Sequence, residues 1–496
     1  MILLRTIALL AATHDIDTFG ARDSDPSATM VNAAALTAAL AAAQSGDTVL
    51  AKAGKIYYMN HVTASQLRGV IIHIEGTVLV DDNITAWVND TTRQNWFEMV
   101  DSVNVTIGGG GTVDGQGMPW WDASITGSIK GVGENRPHLL QLTNSTELII
   151  ENLTLLNSPR FHIHFSQCAR VVVRHVTIRV DRFAQRSLKA KAHTKRLAAV
   201  GPHVAPLAET IAHRLYGIEP RADGTLAPRE DWRDWLLDEI VKLLPAWALQ
   251  PEDLNTDGID PNGEDYHVHD CTVDNDDDSI AVKPSSGKDR FECSQDMLFE
   301  RLTLTGFGAS VGSVPPSADV NCVRNLTFRN LSMPGTGKGI YIKSNPSCGA
   351  GVDRFGRTVQ KTSVLEDITF EDVNISRPFW WAVWIGPQQQ HEPGSALGDK
   401  CALAYPLRDT CPTQGCSTFS NITLRRVTIE EPLLSPGVIL GNVSNPMRGL
   451  TLEDVNVKFG PNPKSGAWPW GRTYLCQAAA LTSLGGTSPA PVCSGS

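Results

Sequence analysis

Two short acidic blocks carry the strongest chemical signal in the chain, Asn255-Thr256-Asp257-Gly258 and Asn275-Asp276-Asp277-Asp278-Ser279. Asp257 precedes Asp277 by 20 positions, close to one circuit of a coiled strand repeat, and adjacent circuits would stack at the interstrand spacing of ~4.8 Å. In a regular strand Asp277 and Asp278 would face opposite sides, so both reach one site only from a bend. Crowded carboxylates raise one another's pKa, which suits an acid and a base that divide a proton transfer. Clustered Asp and Asn oxygens also bind hard cations, so a Ca2+ site is the competing chemistry.

Other groups lie where they could serve the same cleft. Arg160, His162 and His164, in NSPRFHIHF, follow a strand unit and should line the cleft one turn before Asp257. Trp380, Trp381 and Trp384, followed by Gln388, Gln389 and Gln390, suit a sugar platform, because aromatic faces and amides complement pyranose rings. Asp114 in VDGQG reads as a turn residue, and the basic run RSLKAKAHTKRL (186–197) as a solvated helical face.

The elements that must hold these groups announce themselves by repetition. TELIIENLTLLN, ARVVVRHVTIRV, EDYHVHDCTVDN, QDMLFERLTLTG, VRNLTFRNLSMP, LEDITFEDVNIS, FSNITLRRVTIE and MRGLTLEDVNVK begin at 146, 169, 264, 295, 323, 365, 419 and 447. Each unit is two short alternating runs with a polar break between them, the pattern of two brief strands and a bend. A constant unit at unequal spacing means that loops vary while rungs stay, which predicts an all-β solenoid, a parallel β-helix. An antiparallel sandwich would need hairpin turns at much shorter intervals.

This reading assigns residues 13–180 and 254–496 to the β-helix. The Ala-rich stretch after TFGARDSD (18–25) predicts a helix ended by Gly46 that caps the open end of the stack. Residues 181–253 interrupt the pattern as a mainly helical insertion, with WRDWLLDEIVKLL (232–244) placing Trp232, Trp235, Leu236, Ile240, Leu243 and Leu244 on one helical face.

The chain has 496 residues, 42% of them hydrophobic, and a formal charge of −10. That charge argues against a nucleic-acid partner, which would require a basic surface. No apolar run is long enough to predict a membrane span. Met1 to Ala12 reads as a short secretion signal, and ten Asn-x-Ser/Thr sites suit a secreted glycoprotein. Ten cysteines favour disulfides, with Cys411–Cys416 and Cys476–Cys493 the nearest pairs, and no C-x-x-C pair suggests zinc.

Taken together, these blocks resemble the polygalacturonase family, glycoside hydrolase family 28, from TFGARDSD to the last rung near Lys458 with the insertion left out. The family's Asn-Thr-Asp block matches Asn255 to Asp257, and its Asp-Asp block matches Asp277 and Asp278. Its Gly-His-Gly block matches Gly306-Phe307-Gly308 before Ser310-Val311-Gly312-Ser313, and its Arg-Ile-Lys block matches Tyr341-Ile342-Lys343. The resemblance implies a right-handed parallel β-helix that cleaves a pectin-like polysaccharide with inversion and no cofactor or metal. It implies Asp277 as general acid, its proton held by the charges of Asp276 and Asp278, with Asp257 and Asp278 activating water and activity peaking below neutrality. An inverting pair is expected to stand about 6.5–9.5 Å apart across the scissile bond.

Asn255, Lys343, Tyr341, Phe307, His162, Trp384 and Gln388 are the expected substrate contacts of a secreted monomer acting on acidic polysaccharide. Phe307 and Tyr341 stand where the family carries a histidine and an arginine. Losing the arginine removes a two-pronged grip on a carboxylate, which points to fewer substrate carboxylates at the cleavage point, as in rhamnogalacturonan or a substituted galacturonan. The alternatives are a catalytically silent glycan-binding β-helix and a Ca2+-dependent polysaccharide lyase on the same scaffold.

Overall fold

The computed structural model describes residues 11–87, 94–127, 135–216, 218–221, 226–228, 254–344, 348–387, 413–461, 465–466 and 470–495. Its strands form two long sheets of 20 and 12 members, in which successive coils pair in parallel. Parallel strands joined by crossovers within one sheet take the right-handed sense, and the coils close around a single apolar column. Along each rung the side chains alternate, so that Leu148 and Ile150 stack on Val171 and Val173, and these in turn on Tyr266 and Val268. Phe299, Phe328 and Phe370 continue the column as parallel rings 4.4 and 4.5 Å apart, each burial stabilising the stack by about 2 kcal/mol.

The polar break inside each repeat has a conformational cause. Two residues per unit, five positions apart, take the left-handed region: Glu147 and Asn152, Arg170 and His175, Asp265 and Asp270, Asp296 and Arg301, Asn325 and Asn330, Asp367 and Asp372, Asn421 and Arg426, Gly449 and Asp454. Asn, Asp and Gly tolerate that region best, so these corners select them and turn the chain between strands. Several Asn-x-Thr triplets are thus corners followed by a strand residue.

The 12-stranded sheet carries the acidic blocks. Its central strands are β1 (Leu140–Thr143), β2 (Ile163–Ser166), β3 (Ile259–Asp260), β4 (Ile280–Val282), β5 (Ala309–Val314), β6 (Ile340–Ser344), β7 (Val383–Ile385) and β8 (Gly437–Leu440). They pair in that order, each with the next and all in parallel.

Helix α1 (Thr29–Ala42) buries Ala33, Leu36, Ala39 and Leu40 and caps the first coil. It ends at Ala43 rather than Gly46, because Ala43 already takes extended dihedrals; Gly46 serves the turn that follows. After β2 and the large-sheet strands of its coil, α2 (Arg182–Ala198) and α3 (Ala208–Leu215) leave the repeat. WRDWLLDEIVKLL, Met1 to Leu10 and Gln388 to Gln390 lie outside the described residues.

Disulfides join Cys293–Cys322, Cys348–Cys416 and Cys476–Cys493. The last agrees with expectation. Cys416 does not pair with Cys411, because the fold brings Cys348, distant in sequence, beside it. Cys168 and Cys271 are buried thiols, pushed up by burial to about 11 and about 12.

Candidate active site

Asp257 ends the loop that enters β3, while Asp277 and Asp278 sit in the bend before β4. Ile259 pairs with Ile280, so Asp257 lies opposite Asp278, and the Gly258 N–H donates to the Asp278 carbonyl at 2.9 Å. The bend lets both adjacent aspartates face the site. Asn275, fully buried, fixes it: its amide donates to the carbonyls of Thr256 and Asp278, each at 3.0 Å, and its oxygen accepts from Ser279 Oγ at 2.9 Å. One amide thereby ties the two acidic blocks together. Gly306 closes the bend from the next coil; at φ +47° it packs so tightly that a Cβ would stand 2.0 Å from the Asp277 carbonyl oxygen.

Asp257, Asp277 and Asp278 are each at most 7% exposed, and one oxygen from each lies within 4.8 Å of the other two. Two lysines compensate the charge. Lys343 Nζ donates to Asp278 Oδ2 at 2.5 Å, with Ser310 Oγ donating to Oδ1 at 2.7 Å. Lys283 Nζ stands 3.3 Å from Asp257 and 3.2 Å from Asp260. Burial opposes both ammonium charges, but Asp278 beside Lys343, and Asp260 with Asp257 beside Lys283, override it and raise both pKa values. Asp260 is driven the other way from an ordinary carboxylate: burial raises its pKa well above the usual range, Lys283 opposes this, and Asp257 and Asp278 add to it. Asp277 Oδ1 accepts from the Asp278 N–H at 2.8 Å.

Several expected site residues lie elsewhere than the sequence suggested. His162 is fully buried behind the site; its backbone and Nδ1 both reach the Asp257 carbonyl at 2.9 Å, while its Nε2 accepts from the Ser158 N–H. Burial pushes it down to about 4, so it is a neutral brace for Asp257 and not a substrate contact. Asp276 does not help to hold the Asp277 proton. Its carboxylate turns onto α2, where Arg182, Arg186 and Lys189 stand at 3.3, 2.8 and 3.6 Å; burial opposes its charge, but these cations hold it far below the usual range. The start of the basic run is therefore an anchor rather than a solvated face.

Trp384, Trp381 and Trp380 are buried, at 0, 0 and 5%, so none is an exposed sugar platform. Tyr341 is also buried, its ring between Lys338 Nζ at 3.9 Å and Lys343 Nζ at 4.4 Å. Phe307 is half-buried and stacks on Trp380 at 5.4 Å. Asn255, half-buried, takes φ +46° and starts the turn that delivers Asp257. Arg160 and His164 are half-buried near the site around Phe161.

Lys283 and Asp260 were missed, and Asn275 and Ser310 stood only as members of their motifs with no role given; strand parity points to Asp260, Lys283 and Ser310. Ile259, Ile280, Val282, Ala309, Val311, Ile340 and Ile342 enter the core, so Asp260, Lys283, Ser310, Tyr341 and Lys343 alternate with them onto the outward face.

A family model described as "Glycosyl hydrolases family 28" matches residues 47–186 and 247–379, more than half the chain. An endo-polygalacturonase of Pectobacterium carotovorum subsp. carotovorum is 24% identical over 66% of this chain and 67% of its own length. One from Pectobacterium parmentieri is 24% identical over 73% of this chain and 64% of its own length. Among solved structures, an endo-xylogalacturonan hydrolase from Aspergillus tubingensis superposes with a TM-score of 0.60 at 18% identity, over 95% of this chain and 99% of that one. A polygalacturonase from Erwinia carotovora ssp. carotovora gives 0.59 at 18% identity, over 95% and 96%. The structural likenesses speak for the fold and the family model for descent: this chain belongs to glycosyl hydrolases family 28, as a divergent member.

Proposed function

We propose that this glycosidase hydrolyses a pectin-type acidic polysaccharide with inversion, Asp277 protonating the leaving oxygen while Asp257 and Asp278 hold and deprotonate the attacking water. The observation that carries the reading is the triad of buried carboxylates, with Lys283 against Asp257 and Lys343 against Asp278. Each ammonium sets a positive charge beside the carboxylate that is to take the water's proton. The water oxygen bonds to the anomeric carbon, its proton passes to a carboxylate, and the Asp277 proton goes to the departing glycosidic oxygen. Inversion rests on Asp257 and Asp278 lying side by side on neighbouring coils, where both can hold one water.

The chemistry near the bond favours a sugar with few carboxylates there. Lys343 is engaged by Asp278, and Tyr341 offers no grip of the arginine kind. Rhamnogalacturonan and substituted galacturonans fit this better than plain homogalacturonan. The bridges at Cys293–Cys322, Cys348–Cys416 and Cys476–Cys493 support a secreted protein. No described helix is long and apolar enough to cross a membrane.

The test is to incubate the protein with homogalacturonan, rhamnogalacturonan and xylogalacturonan, measuring reducing ends and following the new anomer by NMR. Asp277→Asn should lower kcat by roughly a thousandfold, the scale of a lost general acid, with an unchanged melting temperature. Equal rates for variant and parent would remove Asp277 as the acid. An unsaturated product absorbing in the ultraviolet would indicate a lyase, and no product from any polymer a silent glycan binder.

A further inference from the structure

The outward face of the 12-stranded sheet is the floor on which a sugar chain must lie to reach the three aspartates, and its two ends are built differently. On one side of Asp257 the outward residues are polar and half-buried, Gln141 on β1 and His164 on β2 among them. On the other side, beyond Ser310 and Lys343 at the site itself, they are apolar and almost fully buried: Tyr341 on β6, Trp384 on β7, and Val438 and Leu440 on β8, at 3, 0, 0 and 4% exposure, with the Lys338 ammonium over the Tyr341 and Trp384 rings. An outward face this apolar must be covered. Ala190 and Leu197 of α2, Ala208, Ile211 and Ala212 of α3, and Ile218 form one apolar cluster with those residues.

The cover is fastened beside the catalytic bend. Arg182, Arg186 and Lys189 share one stripe of α2 and converge on Asp276, next to Asp277. Gln185, on the same face, meets Thr256 Oγ1 at 3.3 Å, next to Asp257. A helix of 17 residues spans about 25 Å, and four interstrand steps about 19 Å, so α2 is long enough to run from the bend at β4 to β8.

We propose that α2 and α3 take the place of substrate over β6 to β8, leaving a one-sided groove, so that the enzyme cuts near a chain end. This rests on the reading that the aspartates hydrolyse a polysaccharide. The sugars would lie on the β1 to β3 side, where Arg160 and Lys283 stand over the Phe161 ring at 4.6 and 5.1 Å and His138 stacks on it at 4.7 Å. Cations on the outward side of these strands suit a uronic acid, whose carboxylate Arg160 would meet by charge-assisted hydrogen bonding. Recognition of the acid is thereby moved from the position of Tyr341 to the opposite side of the scissile bond.

The experiment follows viscosity and reducing ends together on whichever polymer is cleaved, and sizes the products from the first minutes. The expected result is one short saccharide from the outset, with viscosity falling only in step with bonds cut, and loss of cleavage when a bulky group blocks one chain end. Arg160→Gln should raise KM roughly tenfold on the acidic polymer, the loss of one charge-assisted contact. A spread of intermediate oligosaccharides with early collapse of viscosity, or undiminished cleavage of end-blocked chains, overturns the one-sided groove and leaves the hydrolase reading standing. No reducing ends from any polymer overturns both.

Discussion

The two ends of the groove obey the same strand alternation yet meet opposite fates. Gln141 and His164 face outward into a half-open polar region, whereas Tyr341 and Trp384, with the same parity, are buried in an apolar cluster that also takes in residues of α2 and α3. Parity alone therefore decides which side of a strand a residue occupies, and whatever packs on that side decides whether it meets water or protein. The difference predicts unequal energetic consequences. Trp384→Ala should cost about 4 kcal/mol, because a fully buried indole leaves a cavity, whereas Gln141→Ala should stay within about 0.5 kcal/mol of the parent. Urea unfolding of both variants checks this, and equal midpoints would mean that Trp384 is an exposed platform after all.

At the junction of the two ends lies the Lys343–Asp278 pair, almost wholly buried. Lys343→Met should cost about 3 kcal/mol, since removing one member strands a buried charge. Adding Asp278→Asn to it should recover part of the loss. A double variant no better than the single one would show that Lys343 acts through packing and not charge.

Much of this was legible in the sequence because periodicity and composition report directly on strands and corners. The eight repeats gave the coil, and the two acidic blocks one circuit apart gave the carboxylate cluster. The failures share a cause. His162 and Trp384 were judged by residue type, as groups that commonly meet sugars, but burial is a property of what packs over them. Asp276 was read with its sequence neighbours, although its partners Arg182, Arg186 and Lys189 lie more than 80 positions away. Cys416 finds Cys348 for the same reason: loop reach cannot be read from spacing when insertions vary. Lys283 and Ser310 were recoverable by counting alternation from Ile280 and Ala309.

His162 offers a test on the polar side. Its folded pKa near 4 lies below the ordinary 6.5, so the unfolded chain binds more protons between those values and stability rises with pH across that window. Acidification from 6.5 towards 4 should thus remove stability, by at most about 3 kcal/mol from this group. His162→Gln should flatten the dependence of the urea midpoint on pH in that interval. An unchanged slope would show that the ring is not a neutral buried brace for Asp257.

The smallest expected effect probes the fastening of the cover. Arg186→Ala removes the shortest of the three contacts to Asp276, but Arg182 and Lys189 remain, so the global cost should be only about 1 kcal/mol. The loss should instead be local. Segments held by few apolar contacts open before the core does, and α2 is joined to the coils at Asp276, through the cluster around Trp384 and through Leu188 against Trp121. Limited proteolysis should therefore cut faster within residues 182–216, with the fragments from the coils unchanged in size and rate. Uniform acceleration across the chain would mean that the insertion and the coils unfold as one unit, and the contrast between the two ends of the groove would then be one of surface chemistry alone.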